Sequence, residues 1–384
     1  MQRITHPVLR WRVALCGLLT WGAVLLVGGP VRAELYSFTD LGTFGGTTSG
    51  AYGINAAGQV VGSATITGGN THAFVYSNGT MTDLGTLGGA YSGAHDINAV
   101  GQVVGIATTT GGDYRAFVFS NGTMTDLGTL GGTSSGAYGI NAAGQVVGYA
   151  DTTTAGVTHA FVYSNGTMTD LGTLGGTYSG SNAQGINAAG QVVGTASNSG
   201  AQRAFVSSNG TMTDLGTLGG AYSGANDINA AGQVVGYAYT RGGASYGDPR
   251  HAFISSNGTM TDLGTFGGPH SYASGINAAG QVVGGAKTTG TYQGEFVSHA
   301  FLYSNGSLLD LNSLLDSIDS GWTLTDALDI NDNGQIVGRG RNSLGYTRGF
   351  LLTPVPLPGA VVLFCSGLIG LMIIARRATR QPVA

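Results

Sequence analysis

The sequence predicts an all-β fold, a seven-bladed β-propeller that is closed by its N-terminal strand. The first observation is one unit that recurs seven times, built from D-L-G, I-N-A-A-G-Q-V-V-G and H-A-F-V-Y-S-N-G-T-M-T elements. The second is its spacing of 43, 43, 44, 44, 48 and 48 residues, because a fixed period in this range is typical of propellers, solenoids and repeat arrays. The third is the phase of the repeat. The D-L-G element, degenerate in its last copy, begins at Asp40, Asp83, Asp126, Asp170, Asp214, Asp262 and Asp310.

Each unit is predicted to contain four short strands. In the first unit we expect strands over residues 51–55, 59–65, 72–77 and 80–86. The third and fourth are joined by Asn78-Gly79, a strong hairpin signal because both residues tolerate a positive φ. Apolar residues alternate only weakly along these strands, which is typical of strands that are covered on both faces. Four-stranded sheets stacked face to face have this property.

The phase of the repeat indicates how the ring closes. The body begins with residues 36–42, a fourth-strand sequence that no other strand of a unit precedes, and it stops after the third strand at residues 348–352. A ring whose last blade takes its fourth strand from the N-terminus uses every strand and leaves no edge unpaired. An open β-solenoid is the alternative. A rod of that kind is expected to carry capping units at its ends.

The last unit departs from the pattern. Residues 311–318 are apolar enough for a short helical turn, and Trp322 follows them. We expect this stretch to form a plug or seam beside the closure. Three aspartates, Asp326, Asp329 and Asp332, lie close together in this unit, and the I-N-D-N-G turn accounts for the last of them.

Composition and charge exclude several classes of protein. Between Glu34 and Pro354 the chain has 8 basic against 19 acidic residues, a formal charge of −11. Such a body repels phosphate backbones, which excludes nucleic-acid binding. With 70 glycines in 384 residues, many short strands and tight turns are expected. The two cysteines, Cys16 and Cys365, provide no disulfide framework for the mature protein.

The N-terminal segment has the organisation of a secretory signal peptide. Arg3, Arg10 and Arg12 precede an apolar run over residues 13–27, and Val31-Arg32-Ala33 places small or short residues where a signal peptidase cuts. We therefore predict a signal peptide over residues 1–33, cleaved between Ala33 and Glu34.

The C-terminal segment has the organisation of a membrane stop. Residues 354–358 form a stiff, Pro-rich spacer. Residues 359–375 carry no charge and are predicted to form a transmembrane helix at the short end of the usual range. A basic tail over residues 376–384 follows, and its Arg376 and Arg377 indicate a cytoplasmic end.

The recurring polar residues favour structural roles. One position holds a histidine in four units and an arginine in the other three, which suits a hydrogen-bonding cap on the third strand and does not suit a metal site. The aspartate of D-L-G suits an Asx-type turn. The chain lacks nucleophile-elbow, zinc-protease, P-loop and calcium-loop motifs, so we expect no catalytic residue, no metal and no cofactor. The capping residues are His72, Arg115, His159, Arg203, His251, His299 and Arg348.

Two adjacent long loops are the predicted binding region. From the closing Gly of the second strand to the His/Arg position, the offsets are 10, 10, 11, 9, 15, 15 and 10 residues, which marks loops 237–250 and 285–298. Variable loops on a rigid scaffold commonly carry function. Tyr246 and Tyr292 are candidate platforms for sugar rings; alternatively, both loops are tolerated surface insertions. The candidate ligand-binding residues are Arg241, Tyr246, Asp248, Arg250, Lys287, Tyr292 and Glu295.

The tail sequence V-P-L-P-G-A-V-V-L-F-C-S-G-L-I-G-L-M-I-I-A-R-R resembles the PEP-CTERM sorting signals of Gram-negative bacteria, in the VPLPA-type variant with Leu357 where Glu is usual. That tail family is also known as an ice-binding protein C-terminal domain. The resemblance implies export across the inner membrane, transient membrane anchoring and delivery to an exopolysaccharide-rich cell surface. It also implies recognition by an exosortase-type sorting protease. The residues of this signal are Val355, Pro356, Leu357, Pro358, Arg376 and Arg377.

The body, residues 34–353, resembles the probable extracellular HAF-repeat family. The tripeptide that names the family stands at residues 72–74, 159–161, 251–253 and 299–301. The S-G-W-T-L-T sequence from Ser320 onward is similar to the family's typical final unit. This resemblance implies an extracellular location and no particular activity.

Together these patterns predict a secreted, surface-sorted, non-catalytic protein that acts as a binding or structural scaffold in the exopolysaccharide matrix. Its expected partner is exopolysaccharide or a surface protein. Two alternatives stay open at this point. One is a propeller enzyme acting on surface glycans, which clustered acids in a pocket would favour. The other is an adhesin whose Thr-rich flank contacts matrix or ice, which a flat, regular Thr array would favour.

Overall fold

A computed structural model of the chain describes residues 36–175, 180–198, 201–240, 248–292, 295–315 and 321–355. These residues belong to one compact unit, Leu35–Pro356. The predicted signal peptide, membrane helix and basic tail, and the sorting signal from Pro356 onward, lie outside the described residues. No helix within the described ranges is long and apolar enough to cross a membrane.

The described residues form 28 β-strands and one short 3-10 helix, which confirms the all-β prediction. The N-terminal strand is β1 (Tyr36–Asp40). The strands that follow form seven groups, one for each repeat. Group 1 contains β2 (Gly45–Ile54), β3 (Val60–Ile66), β4 (Thr71–Ser77) and β5 (Thr80–Asp83). Group 2 contains β6 (Gly88–Ile97), β7 (Val103–Thr109), β8 (Tyr114–Ser120) and β9 (Thr123–Asp126). Group 3 contains β10 (Gly131–Ile140), β11 (Val146–Thr152), β12 (Thr158–Ser164) and β13 (Thr167–Asp170).

The remaining groups follow the same order. Group 4 contains β14 (Ser181–Ile186), β15 (Val192–Asn198), β16 (Ala201–Ser208) and β17 (Thr211–Asp214). Group 5 contains β18 (Gly219–Ile228), β19 (Val234–Thr240), β20 (Arg250–Ser256) and β21 (Thr259–Gly264). Group 6 contains β22 (Gly267–Ile276), β23 (Val282–Tyr292), β24 (Glu295–Ser304) and β25 (Ser307–Asp310). After a 3-10 helix (Leu311–Leu314), group 7 contains β26 (Thr323–Ile330), β27 (Ile336–Arg341) and β28 (Thr347–Pro354).

Within each group the strands pair antiparallel in chain order, and β1 supplies the fourth strand of group 7. The ladder between β1 and β28 places Tyr36 opposite Pro354 and Asp40 opposite Phe350. The pairing of the N-terminal segment with the last strand is therefore present, as its sequence predicts. Single parallel bridges link group 1 to group 2 and group 5 to group 6.

The first strands of successive groups contact one another, and β26 of group 7 contacts β2 of group 1. These contacts run from each group to the next and from group 7 back to group 1, and we call the first strands, which make them, the innermost strands. We call the end of each group where the chain enters its first strand, and where its second and third strands are joined, the crossing end. The opposite end carries the A-A-G and N-G turns.

The hydrophobic core consists of seven layers between neighbouring groups. In one layer, Val61 and Ala73 of group 1 pack with Ala94 and Phe117 of group 2, and all four side chains are buried. The phenylalanine recurs once per group and is fully buried each time, which stabilises the fold by about 1.5–3 kcal/mol per side chain. Both faces of every group are covered, and this explains the weak alternation of apolar residues. The seven are Phe74, Phe117, Phe161, Phe205, Phe253, Phe301 and Phe350.

Turn and cap residues take the roles that the sequence predicts. In the first hairpin Asn78 has φ 51° and Gly79 has φ 80°, values that suit a type I′ turn. Asp83 accepts the backbone N–H of Gly85 at 2.7 Å, an Asx turn, while its second oxygen lies 2.8 Å from Nδ1 of His72. The same pairing with the D-L-G aspartate recurs at His159, His251, His299 and Arg115, so among the described residues the cap is present in five of the seven groups. In group 4 the side chain of Asn198 binds Asp214 instead.

The predicted seam beside the closure is also present. The helical turn expected over residues 311–318 is a 3-10 helix at Leu311–Leu314, capped by Asp310. Leu311 is buried in one cluster with Tyr36 and Phe350. The ring of Trp322 lies 4.9 Å from that of Phe38 on β1.

Three expectations about element boundaries were wrong. The fourth strand of group 1, expected over residues 80–86, ends at Asp83. The first strand of group 1 begins at Gly45, ahead of the expected strand at residues 51–55. The segment 285–298, predicted as a long loop, is mostly a β-hairpin in which Tyr292 pairs with Glu295. Its threonines and tyrosine favour extended strands, so the extra residues lengthen β23 and β24 instead of forming a loop.

Candidate functional site

A cavity of about 600 Å³ opens at the crossing end, among groups 3, 4 and 5. Its walls come from the first strands of groups 4 and 5, the second strands of groups 3 to 5, and the starts of the third strands of groups 3 and 4. The lining residues are Tyr149, Thr158, Gly180, Ser181, Asn182, Gln184, Thr195, Ser197, Gln202, Asn226 and Tyr237.

The two tyrosines of the wall, Tyr149 and Tyr237, hold the same repeat position, directly after V-V-G on the second strand. Each ring lies against a glycine of its own first strand. A Cβ atom at Gly136 would lie 2.6 Å from Cε1 of Tyr149, and one at Gly224 would lie 2.8 Å from Cε1 of Tyr237. Glycine at these positions therefore makes room for the rings.

Group 4 reverses this arrangement and thereby opens the cavity. Its second strand has the small Thr195 at the tyrosine position, and its first strand has Asn182 at the glycine position. Asn182 accepts a hydrogen bond from Nε2 of Gln184 at 3.0 Å. Thr195 Oγ1 comes within 2.8 Å of a Cβ atom built on Gly224, so the threonine faces group 5. An amide and a small hydroxyl side chain thus stand where the neighbouring groups have a glycine and a bulky ring.

Several polar groups of the wall are available to a ligand. In the part of the chain that the structure describes, the side chains of Thr195, Ser197 and Gln202 make no hydrogen bond to the protein. Asn226 donates from Nδ2 to the main-chain oxygen of Ala273 at 2.7 Å, which orients its amide. Ser181 is engaged on both sides, since its Oγ donates to Gly172 O at 2.5 Å and accepts from Ala160 N at 2.8 Å.

The electrostatics of the cavity are neutral. None of its described lining residues is an acid, a base or a histidine. Burial, followed by the charge of Asp151, raises the pKa of Tyr149 above its ordinary value, so the phenol keeps its proton at neutral pH. The wall therefore offers hydroxyls, amides and two aromatic faces, but no fixed charge.

Deeper in the ring, three aspartates occupy one repeat position on the first strands of groups 2, 5 and 7. Burial raises the pKa of Asp96 and of Asp329, and it raises the pKa of Asp227 to about 6. Repulsion from the other carboxylates further raises the pKa of Asp227 and of Asp329. Equivalent positions on the innermost strands are therefore close in space. Among the described residues, no group of three His, Cys, Asp or Glu side chains is arranged to hold a metal ion.

Each of these carboxylates ties its own group to the next. Asp96 accepts the N–H of Ile97 at 2.7 Å and, across the group boundary, that of Ile140 at 2.8 Å. Asp227 bonds Ile276 and Asp329 bonds Ile54 in the same way, at 2.9 and 2.8 Å. The following group has glycine at this position each time. The three aspartates are therefore structural ties in the inner wall.

An aromatic row runs along the inner wall of groups 1 to 3 and reaches the cavity. The ring of His95 lies 5.7 Å from Tyr52 and 4.9 Å from Tyr138, and Tyr138 lies 5.8 Å from Tyr149. Burial lowers the pKa of His95 to about 4, so its imidazole is neutral at physiological pH. Burial is also the main cause that raises the pKa of Tyr138 to about 12.

One of the predicted loop residues, Arg250, lies beside this cavity. Arg250 begins β20, and its guanidinium lies 5.2 Å from the ring centre of Tyr237. Arg250 and Lys287 both lie near His270, whose pKa is lowered by burial and then by these two charges. The predicted sector and the cavity thus adjoin at Tyr237.

The other predicted residues are only partly described. Asp248 lies in a bend just before β20 and is half-buried. Tyr292 and Glu295 are backbone partners at the tip of the β23–β24 hairpin. Arg241 and Tyr246 lie outside the described residues, as do Ala33, Glu34 and the sorting-signal residues except Val355, which is exposed at the end of the last strand.

Sequence reasoning missed the lining of the cavity, although the repeat contains a signal for it. The residue after V-V-G differs in almost every unit, while the residues before it hardly change. The seven residues at this position are Ser63, Ile106, Tyr149, Thr195, Tyr237, Gly285 and Arg339. Variation inside an otherwise uniform strand therefore marks the mouth of the ring.

No protein-family model matches this sequence, and no curated protein matches it. The crystal structure of TolB from Acinetobacter baumannii aligns with 81% of this chain at 11% identity, with a TM-score of 0.41. The alignment covers 65% of the TolB chain, just under two thirds of its length. A similarity at this level assigns neither a ligand nor an activity.

Proposed function

We propose that this chain is a seven-bladed β-propeller closed by β1, and that it serves as a secreted, non-catalytic scaffold that binds a neutral glycan in the cavity of groups 3 to 5. The β1–β28 ladder and the contact of group 7 with group 1 support the propeller over an open rod. A closed ring gives every group four strands and leaves only short fourth strands at the sheet edges.

The observation that carries the proposed ligand class is the chemistry of the cavity wall. A sugar has apolar C–H faces, which stack on aromatic rings, and a belt of hydroxyls, which pair with amides and hydroxyls. Tyr149 and Tyr237 supply the rings, and Asn182, Gln184 and Asn226 supply the amides. Mostly preformed concave sites with a few placed polar groups are the usual form of small-ligand sites.

Charge supports a neutral ligand. The body has a formal charge of −11, from 8 basic and 19 acidic residues, and its field opposes the approach of uronate-rich or phosphorylated polymers. No carboxylate, imidazole or thiol belongs to the described lining, so the cavity lacks a general acid or base for glycoside cleavage. Binding without catalysis is the function that this wall favours.

The cellular context of the proposal comes from the sequence of the two ends. A signal peptide over residues 1–33 and a sorting signal that begins at Val355 support secretion, transient anchoring and handling by an exosortase-type protease. The proposed partner is then a neutral exopolysaccharide at the surface of the producing cell. A surface protein that carries such a glycan fits equally well.

Isothermal titration of the full chain with a panel of neutral mono- and disaccharides tests the proposal. We expect binding to at least one sugar of the panel, and a loss of about tenfold or more in affinity for Tyr237→Ala and for Asn182→Ala. Tyr346→Ala is the matched control, because this tyrosine is 40% exposed in group 7 and outside the cavity. Absence of binding across the panel, or binding that both cavity variants retain, would overturn the proposal.

A further inference from the structure

The wall of the cavity does not stop at group 3. Thr158 and Gln202, two lining residues, hold the position just before the His/Arg cap on the third strands of groups 3 and 4. In group 2 the same position is Tyr114, which is 48% exposed. Gly180, another lining residue, stands just before the buried Ser181 of the first strand of group 4. In group 2 the residue at the same position, just before the buried Ser92, is Tyr91. Both lining positions are therefore tyrosines in group 2.

These two tyrosines are in contact and lie close to the cavity. The ring centres of Tyr91 and Tyr114 are 6.0 Å apart in an edge-to-face arrangement. Burial and then the neighbouring Tyr52, Tyr114 and Tyr149 raise the pKa of Tyr91. Burial, Asp151 and Tyr114 raise the pKa of Tyr149, so this residue of the cavity wall lies near both tyrosines. An edge-to-face pair, half-buried at Tyr91 and exposed at Tyr114, thus continues to the aromatic wall of the cavity.

The charged groups around these tyrosines are held by ion pairs or hydrogen bonds. Arg115 is held between Asp113 at 3.5 Å and Asp126 at 3.6 Å. Asp151 accepts hydrogen bonds from the backbone of Ser134 and from Oγ1 of Thr158, each at 3.1 Å. The surface between the cavity and group 2 is therefore aromatic and hydroxylic, and the three carboxylates of Asp113, Asp126 and Asp151 outnumber the one guanidinium of Arg115.

We propose that Tyr149, Tyr114 and Tyr91 form a stacking track along which a neutral oligosaccharide extends from the cavity across groups 3 and 2. One sugar occupies the cavity and the following units stack on the tyrosines of the track. This inference rests on the proposed function and adds to it that the ligand is a chain of several sugars. The aromatic row of Tyr52, His95 and Tyr138 lies along the inner wall of the same three groups and leads to Tyr149.

The test is a titration series on the full chain with neutral cello-, laminari-, malto- and xylo-oligosaccharides of increasing length. For the series that binds, affinity is expected to rise with chain length. Tyr114→Ala is expected to lower affinity for the longest members by roughly tenfold and to leave the shortest members unchanged. Tyr237→Ala lowers affinity for all lengths, and Tyr346→Ala for none. Tyr114→Ala is the main variant of the track, because the exposed side chain of Tyr114 can be removed without unfolding the protein. Tyr91→Ala is the second variant of the track.

The outcomes separate the two proposals. If affinity does not rise with length, or if Tyr114→Ala and Tyr91→Ala leave the length dependence intact while Tyr237→Ala abolishes binding, the track is wrong and the cavity proposal stands. If no neutral saccharide of any length binds, both proposals fall. Selective loss for long chains in the track variants supports the track.

Discussion

Nδ2 of Asn331 donates to the main-chain oxygen of Asn55 across 3.0 Å, although 276 residues separate them in the chain. The same bond joins every pair of neighbouring groups, at 3.0–3.3 Å, and the set forms an uninterrupted cycle. The asparagine of I-N therefore has two roles, because its Oδ1 also accepts two backbone N–H groups of its own turn. The members of the cycle are Asn55, Asn98, Asn141, Asn187, Asn229, Asn277 and Asn331.

We predict that Asn331→Asp destabilises the protein by about 1–3 kcal/mol, because it keeps the acceptor for the turn but turns a carboxylate towards the carbonyl of Asn55. Chemical denaturation of the variant measures the loss. Asn333→Asp is the control, since Asn333 donates to Ala56 O at 2.9 Å across the same boundary but is exposed. Equal losses in both variants would contradict a special role for the buried cycle.

A second prediction concerns the pH dependence of stability. The native pKa values of Asp96, Asp227 and Asp329 are raised, mainly by burial, and that of Asp227 to about 6. At pH values between about 4, the ordinary pKa of aspartate, and about 6, the native state therefore binds more protons at these sites than the unfolded chain does. Their contribution to the free energy of unfolding then falls as the pH rises through this window, by up to about 3 kcal/mol for Asp227.

The measurement is the slope of unfolding free energy against pH between 4 and 7. Asp227→Asn removes a titrating carboxyl, so the stability of this variant should fall less steeply with rising pH than that of the wild type. The exposed Asp113→Asn serves as the control and should keep the wild-type slope. An unchanged slope for Asp227→Asn would show that this carboxyl does not titrate in the window.

A third prediction tests how closely the strands of one group approach. A Cβ atom at Gly62 would lie 1.9 Å from the carbonyl oxygen of Gly50, so alanine fits only if the first and second strands separate. Gly62→Ala should cost more than about 3 kcal/mol or prevent folding. Gly111→Ala is the matched control, because a Cβ atom there would meet only Oγ1 of Thr109 at 3.7 Å. Thermal melting of both variants compares them, and similar midpoints would contradict the close approach.

The regular part of the fold could be predicted because it depends on local signals. Asn78-Gly79 specifies its hairpin through backbone conformation, and the D-L-G aspartates specify their turns through bonds to residues two positions away. The pairing of β1 with β28 could be predicted from the phase of the repeat. The extent of the β23–β24 hairpin could not be predicted from loop length, because Thr288 and its neighbours extend the strands.

The candidate site was harder to predict because it is made of residues that are distant in sequence. Asn182 and Thr195 look like minor exceptions in their strands, and only the ring places them beside Tyr149 and Tyr237. The bonds that Asp96 and Asp227 make to the following group could not be predicted for the same reason. Equivalent positions lie far apart on third strands but close together on the innermost strands, and a linear repeat does not distinguish these cases.

The most direct test of the account is a disulfide across the closure. Ser37 and Thr353 are opposite one another in the β1–β28 ladder, at a separation that a disulfide spans. In a chain whose Cys16 and Cys365 are replaced by serine, Ser37→Cys with Thr353→Cys is predicted to form an intramolecular disulfide on mild oxidation, with both thiols lost and no dimer. Ser37→Cys with Thr347→Cys, at the far end of β28, is the control and should keep free thiols. Free thiols or intermolecular dimers in the first variant would contradict a ring closed by its N-terminal strand.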